Sequence, residues 1–226
     1  MSSRTADIGN FFRSAPLRSL FTYLGITLVL FAMITMLIEP NEVGDAESAI
    51  FEAINGLPSA AFAPLWVPMQ LGNIVAVPAL AAAALMFRHL RLSAGILLAG
   101  VSCWYLAKMV KEAVGRGRPA ALISETILRQ APAGGGGYIS GHTAIAFALA
   151  TVLHPYLPRP WRIVAWGLAA VVGFARIYVG AHLPLDVIGG AALGCAVGIV
   201  VLLIVEPWRG DDEIEEDDED AILTEV

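Results

Sequence analysis

Six long apolar runs, at residues 20–38, 71–87, 93–110, 143–157, 163–179 and 187–205, alternate with shorter stretches that hold most of the charge. A run of about 20 apolar residues suits a helix that crosses a bilayer. The fourth and fifth runs are short for a span and are expected to extend into their neighbours. The connecting stretches show no strand alternation, and an open sheet cannot cross lipid. The pattern therefore predicts an all-α polytopic membrane protein, a bundle of six transmembrane helices. The first run follows Arg4, Arg13 and Arg18, as a signal peptide would. Its apolar length exceeds that of a signal peptide and no Ala-x-Ala site follows cleanly, so it reads as an uncleaved signal anchor.

Between the first two runs, residues 45–57 carry a second pattern. Ala46, Ala49, Ile50, Ala53, Ile54 and Leu57 recur at steps of three and four, with Glu47 and Glu52 off that stripe. Such a stripe predicts a short helix, either interfacial on the bilayer or packed against the mouth of the bundle.

Composition sharpens the class. Of 226 residues, 57% are hydrophobic and 15% charged, with a mean hydropathy of +0.70. That is beyond what a soluble core needs. The formal net charge of −6 misleads, because residues 210–226 hold 10 of the 20 acids and no base. So dense an acidic run repels itself and reads as a disordered tail, a solvated terminus first and a partner-binding or regulatory segment second. The predicted organisation is a cytoplasmic segment at 1–18, a membrane domain at 19–205 and an acidic cytoplasmic tail at 206–226. Cys103 and Cys195 fall inside apolar runs and read as packing residues. No nucleic-acid partner is expected, and nothing in the pattern fixes an oligomeric state.

Three polar clusters interrupt the lipid-like chain: 111–119 (KEAVGRGRP), 140–142 (SGH) and 176–186 (RIYVGAHLPLD). Ionisable residues beside spans are functional candidates, and counting spans puts all three clusters on one face. Ser140 and Gly141 stand where the fourth span begins, so free backbone N–H groups there can point at an oxyanion. Pro184 suits the first turn of the sixth helix, leaving His182 just before it and a second helix N-terminus facing the same spot. With Lys111, Arg118 and Arg176, these groups could neutralise a phosphate. Asp186, four residues after His182, could accept Nδ1–H and leave Nε2 as a nucleophile, and His142 could protonate a leaving alkoxide.

Lys-x6-Arg-Pro, then Ser-Gly-His, then Arg-x5-His-x3-Asp resembles the signature of the type 2 phosphatidic acid phosphatase superfamily over roughly residues 45–205. That group includes lipid phosphate phosphatases, isoprenyl diphosphate phosphatases and related haloperoxidases. The resemblance implies an integral membrane lipid phosphatase with a phosphohistidine intermediate and no metal or other cofactor. By resemblance, His182 attacks phosphorus, Asp186 supports it, and His142 is general acid and then base. Lys111, Arg118, Ser140, Gly141 and Arg176 would bind the phosphoryl oxygens. The implied partner is a lipid phosphate or diphosphate, phosphatidate-type or isoprenyl. Ile139 stands where the family usually has Pro, and is expected to loosen the turn before the fourth span. Ala175 stands where Ser is common, removing one hydroxyl.

Orientation follows from loop charge. Eight bases flank one side and six the other; with Lys111, Arg118 and Arg176 set aside as catalytic, the bias is eight to three. The positive-inside rule then puts both termini in the cytoplasm and the clusters on the extracytoplasmic side of the cell membrane. The acid-only stretch 39–70 agrees. Lys108 reads as a snorkelling residue, Arg116 and Arg129 as contributors to the outer potential, and His89 and His154 as inner-side residues outside the site. Four glycines at 134–137 suit close backbone approach, loop motion or a plain linker. The tryptophans and tyrosines near span ends read as an aromatic belt. One other function fits the pattern equally, and two fit less of it. A lipid phosphotransferase would use the same residues. A Ser-His intramembrane protease has no need of three cations, and a lipid or anion transporter would place its polar groups at mid-membrane.

Overall fold

Apolar runs that must satisfy every backbone N–H and C=O without water can only coil, and among the described residues every regular element is a helix. The computed structural model describes residues 17–206. Its helices are α1 (Leu17–Met36), α2 (Asp45–Asn55), α3 (Phe62–Met69), α4 (Ala76–Met86), α5 (Leu90–Val114), the single turn α6 (Pro119–Leu122), α7 (Gly141–Leu153), α8 (Arg159–Tyr178) and α9 (Pro184–Val205). The predicted segment 1–18 falls almost wholly, and the acidic tail all but Glu206, outside the described residues.

α7 is the centre of the molecule. Residues from Thr143 to Val152 are buried on nearly every side, against α5, α8 and α9. α1 is the opposite case, with only Ile34 buried and Phe21, Tyr23, Ile26 and Met33 exposed, as a helix facing lipid requires. α7 and α9 approach closely through glycine. A Cβ on Gly190 would lie 2.6 Å from the Ser140 carbonyl, one on Gly194 2.3 Å from that of Ala144, and one on Gly198 2.6 Å from Thr151 Cβ. Small residues every fourth position let two backbones meet where lipid supplies no hydrophobic drive.

The six expected spans correspond to four long helices, one bent pair and one short helix. α1, the α5–α6 stretch, α8 and α9 are long and apolar enough to cross a membrane. The second run is not one straight span. Residues 59–72 and α4 form a pair bent by 68°, the helical run stopping at Gly72 where Asn73 is extended (φ −77°, ψ 143°). A Cβ on Gly72 would sit 2.4 Å from the His142 carbonyl, so the break lets this segment touch the start of α7. α7 itself has 13 residues, a rise of roughly 20 Å, short of the roughly 30 Å hydrocarbon core. Among the described residues, four helices are of spanning length, or five with the bent pair counted as one span.

α2 packs on the bundle mouth. Glu47, Phe51 and Asn55 are buried while Ala46, Ala49, Ile50 and Ala53 stay exposed. The sequence stripe is thus the outward face, and Glu47, read as off the stripe, points into the protein. Asn55 explains part of this, with its amide donating to the carbonyls of Ile127 and Tyr178 at 2.9 Å each.

Candidate active site

α5 ends at Gly115, in the left-handed conformation with φ 69°, and its last turn carries Lys111. The chain then turns through Arg116, Gly117 and Arg118 into Pro119 at the first position of α6. The last turn of α8 carries Arg176, and Gly180, at φ 77°, reverses the chain so that the His182 N–H donates to the Arg176 carbonyl at 3.2 Å. Pro184 opens α9, as its position before Asp186 predicts. Ser140 is the N-cap of α7: its Oγ accepts from Thr143 Oγ1 at 2.8 Å and more weakly from the Thr143 N–H at 3.4 Å.

These elements bring Lys111, Arg118, Gly141, His142, Arg176 and His182 to the wall of one cavity of about 550 Å³. Ser140, fully buried, does not line it and serves the site by setting where α7 begins. Asp186 is also fully buried, behind His182. Gly141 opens α7, where the first N–H groups have no partner within the helix.

The cations beside the histidines are only partly paired within the protein. Lys111 Nζ donates to the carbonyls of Gly136 and Gly137 at 3.0 and 3.1 Å. Arg118 Nη1 donates to the Ala181 carbonyl at 2.9 Å, and Arg176 Nη1 lies 3.4 Å from Met69 Sδ. The Nε atoms of both arginines are buried without a hydrogen-bond partner. His182 is 2% exposed. Its burial, with Lys111, Arg176, Arg118 and His142 nearby, holds the imidazole well below its ordinary pKa and hence neutral. Its Nδ1 lies 3.5 Å from Asp186 Oδ2, too far and too poorly aligned to bond.

The second free helix N-terminus is absent. The Leu183 N–H donates to Asp186 Oδ2 and the Leu185 N–H to Glu47 Oε1, each at 2.9 Å, and Pro184 has no N–H. Arg116, expected only to shape the outer potential, is 1% exposed and bridges Glu47 and Asp186. Sequence reasoning missed this pair. The signal available was the i, i+4 face Glu47–Phe51–Asn55, polar at both ends, which can be buried only with partners. Arg129 is also a tie: Nη1 donates to the carbonyls of Asn55 and Tyr178, and Nη2 to that of Leu57. Lys108 lines the cavity with its Nζ 3.6 Å above the Trp104 ring. Trp104 and Trp66, assigned to the aromatic belt, form part of the wall.

The glycines at 136 and 137 serve close approach. A Cβ would meet Lys111 Cβ at 2.9 Å from the first and the Gly117 carbonyl at 2.3 Å from the second. The turn before α7 is not loosened by Ile139, since Tyr138, Ile139 and Ser140 are all fully buried. It packs on α9, where Gly189 leaves room for Tyr138.

Known proteins resemble this chain in sequence and in fold. The chain is 31% identical over 103 residues to a lipid A 1-phosphatase of Rhizobium johnstonii, covering 44% of this chain and 42% of that protein. It is 27% identical over 128 residues to an undecaprenyl-diphosphatase of Sulfolobus acidocaldarius, covering 57% and 62%. The chain thus spans less than two thirds of these relatives. In three dimensions it is similar to LpxE of Aquifex aeolicus, with a TM-score of 0.66 and 27% identity over 72% of this chain and 98% of that one. The first transmembrane PAP2-type phosphatidylglycerolphosphate phosphatase from Bacillus subtilis shares the fold at the same TM-score, with 23% identity over 80% and 94%. A family model of the PAP2 superfamily matches residues 74–209, a span that holds Lys111, Arg118, His142, Arg176, His182 and Asp186, and the chain belongs to that superfamily.

Proposed function

We propose that this protein is an integral membrane lipid phosphatase that removes a terminal phosphate from a lipid phosphate or diphosphate through a phosphohistidine on His182. The observation that carries the reading is one cavity walled by two imidazoles and four cations, Lys108 at its Trp104 side and Lys111, Arg118 and Arg176 beside the histidines, with two guanidinium Nε atoms buried and unpaired. A phosphate dianion supplies the acceptors those groups lack.

The His182 Nε2 lone pair forms a bond to phosphorus while the phosphorus–oxygen bond to the lipid breaks, its electrons leaving on the lipid oxygen. His142 gives that oxygen a proton. The same imidazole then takes a proton from water, whose oxygen attacks phosphorus and returns the N–P electrons to His182. Lys111, Arg118 and Arg176, with the Gly141 N–H, balance the charge on the phosphoryl oxygens throughout. Asp186 supports the His182 ring, and Ser140 sets the start of α7.

The reading extends to a six-span bundle with α7 as its short central span, both termini cytoplasmic and the cavity at the extracytoplasmic face. Lipid A-type and isoprenyl diphosphate head groups are the classes named in the relatives; with phosphatidate they form the panel to screen. The test is phosphate release from that panel by purified protein, with and without EDTA and vanadate. We expect turnover in EDTA, because three side-chain cations do the work of a metal. Vanadate, a mimic of five-coordinate phosphorus, is expected to inhibit. Wild-type turnover by His182→Ala would overturn the mechanism.

A further inference from the structure

Behind the cavity lies an ion network that the phosphate does not touch. Arg116 Nη1 donates to Asp186 Oδ1 at 2.9 Å and to Glu47 Oε1 at 3.2 Å, and its Nη2 donates to Glu47 Oε2 at 2.6 Å. Glu47 Oε1 also takes the Leu185 N–H, and Asp186 Oδ2 the Leu183 N–H, each at 2.9 Å. Arg116, Glu47 and Asp186 are 1%, 8% and 0% exposed. Glu47 comes from α2, outside the residues that match the superfamily.

We infer that Arg116 and Glu47 are positioning residues for the reaction: they hold Asp186, and through it His182, and so make α2 part of the catalytic assembly. This rests on the reading of His182 as nucleophile. Both Asp186 oxygens are occupied, so the carboxylate cannot rotate, and Oδ2 stays 3.5 Å from His182 Nδ1. Small motions of the ring on phosphorylation can close that distance. Glu47 also sets the charge. Arg116 with Asp186 alone is a neutral pair, in which the carboxylate has little left to offer the imidazole. A second carboxylate on the same guanidinium leaves the three groups with one net negative charge, which is felt at His182 as the ring becomes cationic on bonding to phosphorus. A buried triad of this kind is a poor way to gain stability, since apolar side chains of equal volume serve as well or better. Its place directly behind the proposed nucleophile gives it another use.

The experiment is rapid-quench labelling of the full-length protein with a radioactive lipid phosphate under single-turnover conditions. Variants are Glu47→Gln, Arg116→Lys, Asp186→Asn, the Glu47→Gln/Asp186→Asn double and His182→Ala. The rate constant of labelling reports the chemistry, and the amplitude reports the folded, competent fraction. Losing the outer partner of a metal-ligating histidine costs about 10–100-fold, and the same scale is expected for a group that orients a nucleophilic histidine. We expect that loss in the rate constant for Glu47→Gln and Arg116→Lys, with amplitude and KM near wild type, because Lys111, Arg118 and Arg176 are untouched. The double variant should be no slower than Asp186→Asn alone, since both act through one carboxylate. A wild-type rate constant in both single variants, or a loss confined to amplitude, overturns the inference and leaves a structural tie. Additive losses in the double overturn it as well. Labelling that survives in His182→Ala instead refutes the nucleophile assignment on which it rests.

Discussion

Arg176→Met should make the empty protein more stable while destroying its affinity for phosphate. Arg176 is 7% exposed, its Nε is buried without a partner, and its Nη1 faces the thioether of Met69. A buried polar group left unsatisfied costs about 1–3 kcal/mol, and Arg118 and Lys111 add like-charge repulsion from across the cavity. Methionine retains much of the apolar stem, so little packing is lost. The expected net gain is about 1–3 kcal/mol, which for a chain of this size raises Tm by about 2 to 12 °C. Ligand reverses the order. Vanadate at about 100 times its Kd should add about 2.7 kcal/mol to the wild type and almost nothing to the variant. Thermal unfolding in detergent with and without vanadate, beside phosphate release from a lipid phosphate, reads both halves. A Tm below wild type in the empty state, or an undiminished vanadate shift in Arg176→Met, would refute the idea that this guanidinium is held unpaired for a phosphate.

Gly137→Ala should destabilise by about 1–3 kcal/mol, as overpacking does, and cut turnover about 100-fold by displacing Lys111 and Arg118. Its Cβ would fall 2.3 Å from the Gly117 carbonyl; wild-type kcat/KM would show that the turn yields freely. His182 has a folded pKa below its unfolded value of about 6.5. Its contribution is therefore complete above that pH and lost as pH falls from there toward the folded value, because the unfolded chain binds the proton first. Tm between pH 7.5 and 5.5 should fall less in His182→Gln than in wild type, and an equal fall would count against the assignment. Single cysteines at Gly134, whose Cβ would meet nothing, and at Glu219, with Cys103 and Cys195 replaced, test topology. An impermeant thiol reagent on intact cells should label position 134 and spare 219; the reverse places the cavity in the cytoplasm.

Much of this molecule is legible in its sequence, because lipid leaves the backbone few choices. Apolar runs near 20 residues must be helices, and α5, α8 and α9 lie within a few residues of the runs that predict them. Short spacings are legible for the same reason. Pro184 at the start of a helix fixes Asp186 within reach of His182, and Ser140 caps the helix that presents His142. The break at Gly72–Asn73 was not legible: hydropathy averages over a bend, and the close approach of Gly72 to the His142 carbonyl exists only in the fold. Nor was the partner of Asp186. Arg116 and Glu47 lie 69 residues apart in the chain, and each alone resembles an ordinary loop charge. Only folding removes both from water, and only then does the cost of an unpaired charge make them a pair. Local pattern thus determined the helices, the order of the clusters and the kind of chemistry they suit. Tertiary packing decided which charges face the cavity, which are held behind it, and that α2 brings Glu47 to Arg116, because burial is a property of neighbours that no stretch of sequence contains.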